Sequence, residues 1–272
     1  MAQDSQHQKL QFLPNEIKHN YGANVHIVSS PLMLSLLAKL GHPETYQPQI
    51  NELTSMLYSY LMDNVIDLFF PRKMVKLDTR MKDSHSEAVY EGEIVDPDVR
   101  CVSVDLARAG TYPSHLCYNK LNYLMTPSLV RQDHFYVARL TDELGKVTGV
   151  NVSGSKIGGD VDDAIVLFPD PMGATGGTIV QAYEHYQNKV GGKARMMIAM
   201  HLIITPEYLK KVTAACPELQ IVALRLDRGL SEQKVLDAIP GLYWDDEKGL
   251  NPNQYIVPGA GGLGEILNNS YC

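Results

Sequence analysis

The amino-acid sequence predicts an α/β protein with a mostly parallel central sheet and helices on both faces. Three observations predict it. The chain has 272 residues with 44% hydrophobic, enough to bury a sizeable core. Continuous apolar runs such as AIVLF and LQIVALRL lack the alternation of a half-exposed strand and suit strands covered on both faces. Through the second half of the chain such runs alternate with segments of helical period, the order that folds as a parallel sheet. One domain over residues 1–272 is expected, preceded within it by a polar N-terminal extension at 1–24.

The elements follow in order. In INELTSMLYSYLMDNVIDLF, Ile50, Leu53, Met56, Leu57, Tyr60, Leu61, Val65 and Leu68 recur at three- and four-residue steps, which predicts a helix with one apolar face. Pro71 closes it. Residues 72–99 turn polar and acidic around the strand-like AVYEGEIV, and read as an arm leaving the main sheet. VRCVSVD is then a strand, and PSHLCYNKLNYLM a helix with Pro113 in its first turn. HFYVARL and AIVLF are strands, and TIVQAYEHYQNKV is a helix stopped by Gly191 and Gly192. ARMMIAMHLIIT is a strand, PEYLKKVTAAC a helix and LQIVALRL a strand.

Composition excludes several classes. The net charge of −7 gives no basic footprint for nucleic acid. No window approaches 18 consecutive apolar residues, so no transmembrane helix is expected, and MAQDSQHQKLQFLPNEIKHN lacks the order of a signal peptide. Cys101, Cys117, Cys216 and Cys272 are scattered, as reduced thiols of a cytoplasmic protein are. The nine histidines show no metal-ligand spacing.

Near the end, Gly259, Gly261 and Gly264 in PGAGGLGE match the dinucleotide fingerprint G-x-G-x-x-G. That fingerprint needs a full helix after it and an acidic residue about 20 positions on, whereas eight residues follow Gly264. A dinucleotide is not expected there.

The segment AIVLFPDPMGATGGTIVQAYEHY, residues 164–186, carries more chemistry. An apolar strand runs into Asp170, then a loop of small residues, then a helix. In an open α/β sheet this places the loop where ligands bind. Gly173, Gly176 and Gly177 permit positive φ and close backbone approach, and Thr175 and Thr178 add hydroxyls. Successive N–H groups at a helix N-terminus cradle a phosphate. No Lys follows the glycines, so a triphosphatase P-loop is disfavoured. A carboxylate at Asp170 accepts two hydrogen bonds and suits a pair of sugar hydroxyls. Phosphate beside ribose implies a ribose 5-phosphate ligand. Arg108, read locally, suits either an anion or a plain surface ion pair.

The stretch from Asp170 through Pro171, Met172, Gly173, Ala174, Thr175, Gly176 and Gly177 to Thr178 resembles the phosphoribosyl-pyrophosphate signature of type I phosphoribosyltransferases. Its Pro and Met resemble the uracil phosphoribosyltransferase form D-P-M-L-A-T-G-G-S. The resemblance runs from about Val25 to Asn268. SSPLMLSLLAKLGHPET is similar to the family's N-terminal segment, and Leu106–Gly110 to its L-R-A-G turn, with Arg108 on the arginine. Arg139 falls where a second arginine meets pyrophosphate. Thr205-Pro206-Glu207 is similar to A-P-E-G, LRLDRGL to S-I-D-x-G-L, and Tyr255-Ile256-Val257-Pro258-Gly259 matches Y-I-V-P-G without change.

The resemblance implies the type I phosphoribosyltransferase fold, a homodimer, and transfer of ribose 5-phosphate from phosphoribosyl pyrophosphate to uracil, giving UMP and pyrophosphate. It implies catalytic roles for Arg108, Arg139 and Asp170, with Mg²⁺ on the pyrophosphate and Asp170 reaching that ion indirectly. It makes residues 250–272 the base-binding segment, with Tyr255, Ile256, Gly261, Gly262, Leu263 and Gly264 around the base. Departures concentrate there. Against P-G-L-G-D-A-G-D-R, the first aspartate is Gly262, the second Glu265 and the arginine Ile266. Gly173 replaces a leucine, GVNVSGSKIGG has lost the family's tyrosine-containing stretch, and about Ser231 to Gly249 is inserted. Another pyrimidine-like base, or a non-catalytic binder of phosphoribosyl pyrophosphate or nucleotide that regulates a partner, are the alternatives.

Overall fold

The computed structural model describes residues 10–141 and 147–270. Among these, a central sheet runs in the order β1 (Val25–Ile27), β10 (Gln220–Leu226), β9 (Met196–Ile204), β7 (Ile165–Pro169), β4 (Cys101–Ala107), β5 (Val130–Thr141), β6 (Val147–Lys156), with the two-residue β8 (Met172–Gly173) also on β9. Every pairing is parallel except β5 with β6. GVNVSGSKIGG, for which the sequence suggested no element, therefore contributes to an antiparallel edge strand.

Helices cover both faces as expected. On one side α1 (Pro31–Leu40), α2 (Gln49–Phe69) and α3 (Thr111–Leu124) bury Leu37, Leu57, Leu61 and Leu121 against Ile165, Leu167, Ile198 and Met200. On the other, α4 (Gly177–Lys189) and α5 (Pro206–Ala215) bury Tyr186, Tyr208 and Val212 against Val104, Phe168 and Ala199. The strands supply alternate side chains to each face, which is why their sequences read as unbroken apolar runs. The segment at α1 carries a cap that periodicity alone does not show: the Ser30 hydroxyl accepts from the Met33 N–H at 3.2 Å and Pro31 occupies the first turn.

The arm is a separate two-stranded antiparallel sheet of β2 (Arg72–Asp78) and β3 (Val89–Val95). The inserted stretch before the C-terminal loop holds the short α6 (Gln233–Leu236) and folds onto Tyr21 and α5. Buried Glu247 accepts from the Tyr21 hydroxyl, from Arg228 Nη1 at 2.8 Å and from the Gly241 N–H at 2.8 Å, while Trp244 Nε1 donates to the Pro206 carbonyl at 3.2 Å.

Strand order fixes where a ligand can sit. From β4 the chain steps to β5 on one side, then returns to place β7 on the other side of β4. The loops leaving β4 and β7 diverge, and a crevice opens outside their carboxyl ends, the topological switch point of an open α/β sheet.

Candidate functional site

Two loops meet at that switch point. After β7, Asp170 leads into Pro171, β8 and the glycine-rich turn that starts α4. Gly176 is the N-cap of α4 with φ +77°, and a side chain there would press on Val212 Cγ2 at 2.6 Å. Only glycine satisfies both conditions. Gly177 and Gly173 have no such dihedral demand. Gly173 is required for another reason: a Cβ would lie 2.8 Å from Ile204 Cγ2 and 3.2 Å from the Tyr208 ring. The loop is bolted to the start of α5, because the Thr205 N–H donates to the Gly173 carbonyl at 3.1 Å and the Thr205 hydroxyl to the Ala174 carbonyl at 2.7 Å. That hydroxyl also accepts from the Tyr208 N–H at 3.0 Å and so caps α5.

A buried chain backs Asp170. Tyr208 hydroxyl and His201 Nε2 are 2.6 Å apart, and His201 Nδ1 is 2.5 Å from the Asp170 carbonyl. Burial lowers the His201 pKa to about 4, so the ring is neutral. Neutral imidazole then donates from Nδ1 to Asp170 and accepts at Nε2 from Tyr208. The Asp170 carboxylate itself accepts from the Met172 N–H at 3.3 Å and lines the crevice.

After β4, Arg108 follows a cis peptide with Ala107, and Gly110 lets the turn close against the end of β7, where a Cβ would lie 2.8 Å from the Pro169 carbonyl. Arg108 Nη1 donates to the Ser270 hydroxyl at 2.7 Å and its carbonyl at 3.1 Å, and Nη2 lies 3.6 Å from Glu265 Oε1. The C-terminal loop thus reaches the β4 turn.

That loop hangs from the sheet by an ion pair of half-buried Arg225 with buried Asp227. Arg225 clasps Asp227 with bonds of 2.7 and 2.9 Å, Asp227 accepts from the Gly259 N–H at 2.8 Å, and Arg225 donates to the Gly259 carbonyl at 3.1 Å. Glu207 accepts from Gly249 and Leu250 N–H, which fixes the entry to the loop. Gly259 and Gly261 have φ of +62° and +73°, and Gly262 caps the single-turn α7 (Leu263–Ile266). A four-residue turn is no dinucleotide-binding helix.

Together these segments enclose a cavity of about 480 Å³. Arg108, Asp170, Met172 and Gly173 line it, as do Ala174, Thr175, Gly176, Gly177 and Thr178. Facing them are Tyr255, Ile256, Gly261, Gly262, Leu263 and Gly264. Pro171 is the exception on the loop between β7 and α4, since it is buried behind the wall and its carbonyl accepts from Leu202 and Ile203 N–H instead. Arg139 lies on β5 opposite Val150, and its side chain falls outside the described residues. Tyr208, Gln254 and Glu265 also line the cavity and were not assigned from the sequence. Among the described residues no group of three His, Cys, Asp or Glu side chains is gathered to hold a metal.

The architecture, an open mostly parallel sheet with its crevice at the β4/β7 switch point, agrees with the phosphoribosyltransferase class to which a family model assigns the chain. The family model for uracil phosphoribosyltransferase matches residues 27–242. The uracil phosphoribosyltransferase of Saccharomyces cerevisiae is 41% identical over 87 residues, 32% of this chain and 39% of that protein. Uracil phosphoribosyltransferase 1 of Schizosaccharomyces pombe is 34% identical over 111 residues, 41% of each chain. These matches span about two fifths of the relatives' length. The AQ2163 protein from Aquifex aeolicus superposes with a TM-score of 0.64 at 18% identity, covering 90% of this chain and 97% of that one, a likeness of fold. The chain belongs to the uracil phosphoribosyltransferase family. The family match ends before the segment 250–272 that closes the cavity.

Proposed function

We propose that this protein transfers ribose 5-phosphate from phosphoribosyl pyrophosphate to N1 of uracil, giving UMP and pyrophosphate. The reading is supported by the cavity, in which the N-terminus of α4 and the Asp170 carboxylate lie opposite a glycine-rich loop in a member of this family. In this reading the N-terminus of α4, with Thr175 and Thr178, receives the 5′-phosphate, and Asp170 accepts from the ribose hydroxyls. Arg108 and Arg139 take the pyrophosphate, which guanidinium forks match well. Mg²⁺ accompanies the substrate and neutralises its leaving group. Among the described residues Asp170 is the carboxylate that lines the cavity on that side, which suits an ion carried mainly by the substrate's own oxygens, with Asp170 reaching it through water. As the bond to pyrophosphate lengthens, positive charge grows at C1 of the ribose, and uracil held in line by the loop at 250–272 attacks it.

The chain acts here as one domain, with 72–99 as an arm, in the cytoplasm and as a homodimer. No helix among the described residues is long and apolar enough to cross a membrane. Met74, Leu77 and Tyr90 are exposed on the arm, which makes it the first place to look for a dimer contact.

Incubation with Mg²⁺, phosphoribosyl pyrophosphate and a panel of bases tests the reading. Pyrophosphate release that depends on uracil is expected. Turnover only with a different base would move the substrate, and binding of the sugar phosphate with no turnover across the panel would make the protein a sensor. The second outcome is worth the panel because Gly262 lacks the family's aspartate.

A further inference from the structure

The turn that carries Arg108 is closed from below by a buried carboxylate that the proposed reaction does not use. Asp105, near the end of β4, is 6% exposed. Its Oδ1 accepts from the Thr111 hydroxyl at 2.9 Å, and its Oδ2 pairs with His134 Nδ1 at 2.9 Å. A carboxylate accepts at both oxygens, so His134 carries a hydrogen on Nδ1. Asp105 and Thr111 stand on either side of residues 106–110. One side chain therefore staples the strand before the turn to the first residue of α3 after it. His134 lies directly beside Asp105 on β5 and fixes the carboxylate from the neighbouring strand. Inside the staple, the Gly110 N–H donates to the Leu106 carbonyl at 3.0 Å and the Thr111 N–H to the Arg108 carbonyl at 3.1 Å.

A second rung lies one turn along α3. Buried Ser103 donates to the Ser114 carbonyl at 2.8 Å, and the Ser114 hydroxyl accepts from Gln132 Nε2 at 2.9 Å. The start of α3 is thus fastened to β4 and β5 by directed bonds, while the rest of the helix packs through Cys117 and Leu121. Apolar contact is non-directional and lets a helix slide; hydrogen bonds of fixed length and angle do not.

We propose that Asp105 is a positioning residue for pyrophosphate binding, which through Thr111 and His134 holds the turn that presents Arg108 to the cavity. The inference rests on the assignment of Arg108 to pyrophosphate in the proposed function. The Arg108 guanidinium is engaged by Ser270 and faces Glu265, both on the C-terminal segment. An arriving anion competes for those N–H groups, so the anchorage that persists through binding is the backbone of the turn. A buried carboxylate costs desolvation that an apolar residue avoids, and what it returns here is the fixed separation of the two ends of the turn.

Calorimetric titration of the full-length protein with Mg²⁺ pyrophosphate and, separately, with ribose 5-phosphate tests this. Thr111→Val removes the hydroxyl at nearly constant shape and should weaken pyrophosphate by roughly three- to tenfold, with ribose 5-phosphate unchanged. Thr111→Ser keeps the hydroxyl and should restore wild-type affinity. Asp105→Asn turns an N–H toward one of the two donors and should weaken pyrophosphate at least as much. Pyrophosphate affinity that holds in Thr111→Val, or that falls together with ribose 5-phosphate, would make the network a structural one and overturn the inference. Arg108→Gln tests the underlying reading separately: it should lose pyrophosphate outright, and retention there would overturn the role given to Arg108 in the proposed function.

Discussion

The two walls of the cavity have each lost a side chain that the family motif carries, and they differ in what lies in its place. On the phosphate wall, Gly173 stands where the motif has leucine, and the vacated volume is taken by Ile204 and the ring of Tyr208. Tyr208 in turn follows Thr205-Pro206-Glu207, at the place of the motif's small glycine. Volume was exchanged across the α5 contact, where Gly173 and Tyr208 are buried and hydrogen bonds tie the loop to Thr205. On the base wall, Gly262 stands where the motif has aspartate, and the space holds the half-exposed carboxylate of Glu265. The motif's second acid is retained there as Glu265, so one carboxylate was lost and none was moved. Changes on the first wall should register in folding, and changes on the second in binding.

The sharpest way to break this contrast is Gly176→Val. Its φ of +77° and the overlap with Val212 combine a left-handed strain of about 1–2 kcal/mol with a steric one, so ribose 5-phosphate affinity should fall by roughly a hundredfold or more in calorimetry. Acid should act next. An exposed histidine titrates near 6.5 and buried His201 at about 4, so the unfolded chain takes up that proton first. Stability from this group is complete above about pH 6.5 and is lost as the pH falls toward 4, at most about 3 kcal/mol. Denaturant titrations from pH 7 to 4 should show the slope, and His201→Gln should flatten it.

A swap refines the comparison further. Gly173→Leu alone overpacks the wall and should cost about 1–3 kcal/mol, a fall of several degrees in Tm. The double variant Gly173→Leu, Tyr208→Gly should cost less than the sum of the two single variants; a loss equal to that sum would show that the two positions are not coupled. The smallest effect on stability should come from Gly262→Asp, because Glu265 is 35% exposed and can swing into solvent. Its Tm should stay within about 2 °C of wild type, inside the range of ordinary surface substitutions. A drop as large as that of Gly173→Leu would erase the difference between the walls.

Most of the sheet and its helices can be read along the chain, because strands buried on both faces and amphipathic helices leave periodic signals. The elements that periodicity missed have reasons. In SSPLMLSLLAKL the apolar residues run nearly continuously and the cap, Ser30, gives the better signal. The strand β6 is Gly- and Ser-rich, and its pairing with β5 is a long-range choice. The turn between β7 and α4 was legible since its glycines answer a local backbone demand at Gly176. Ser270 left no signal at all, since a hydroxyl near the C-terminus becomes a partner of Arg108 only when the loop folds back on the β4 turn. Tyr208 read as one more apolar residue of an α5 face.

The sequence by itself determined the class of fold, the glycine-rich turn after β7 and the family, because each rests on residues close together in the chain whose spacing the backbone enforces. Only the tertiary structure decided how Gly173 pairs with Tyr208 and Gly262 with Glu265. Whether a missing side chain leaves a hole or makes room depends on which atoms approach from elsewhere, and close packing across a switch point between strands distant in sequence is what brings them there.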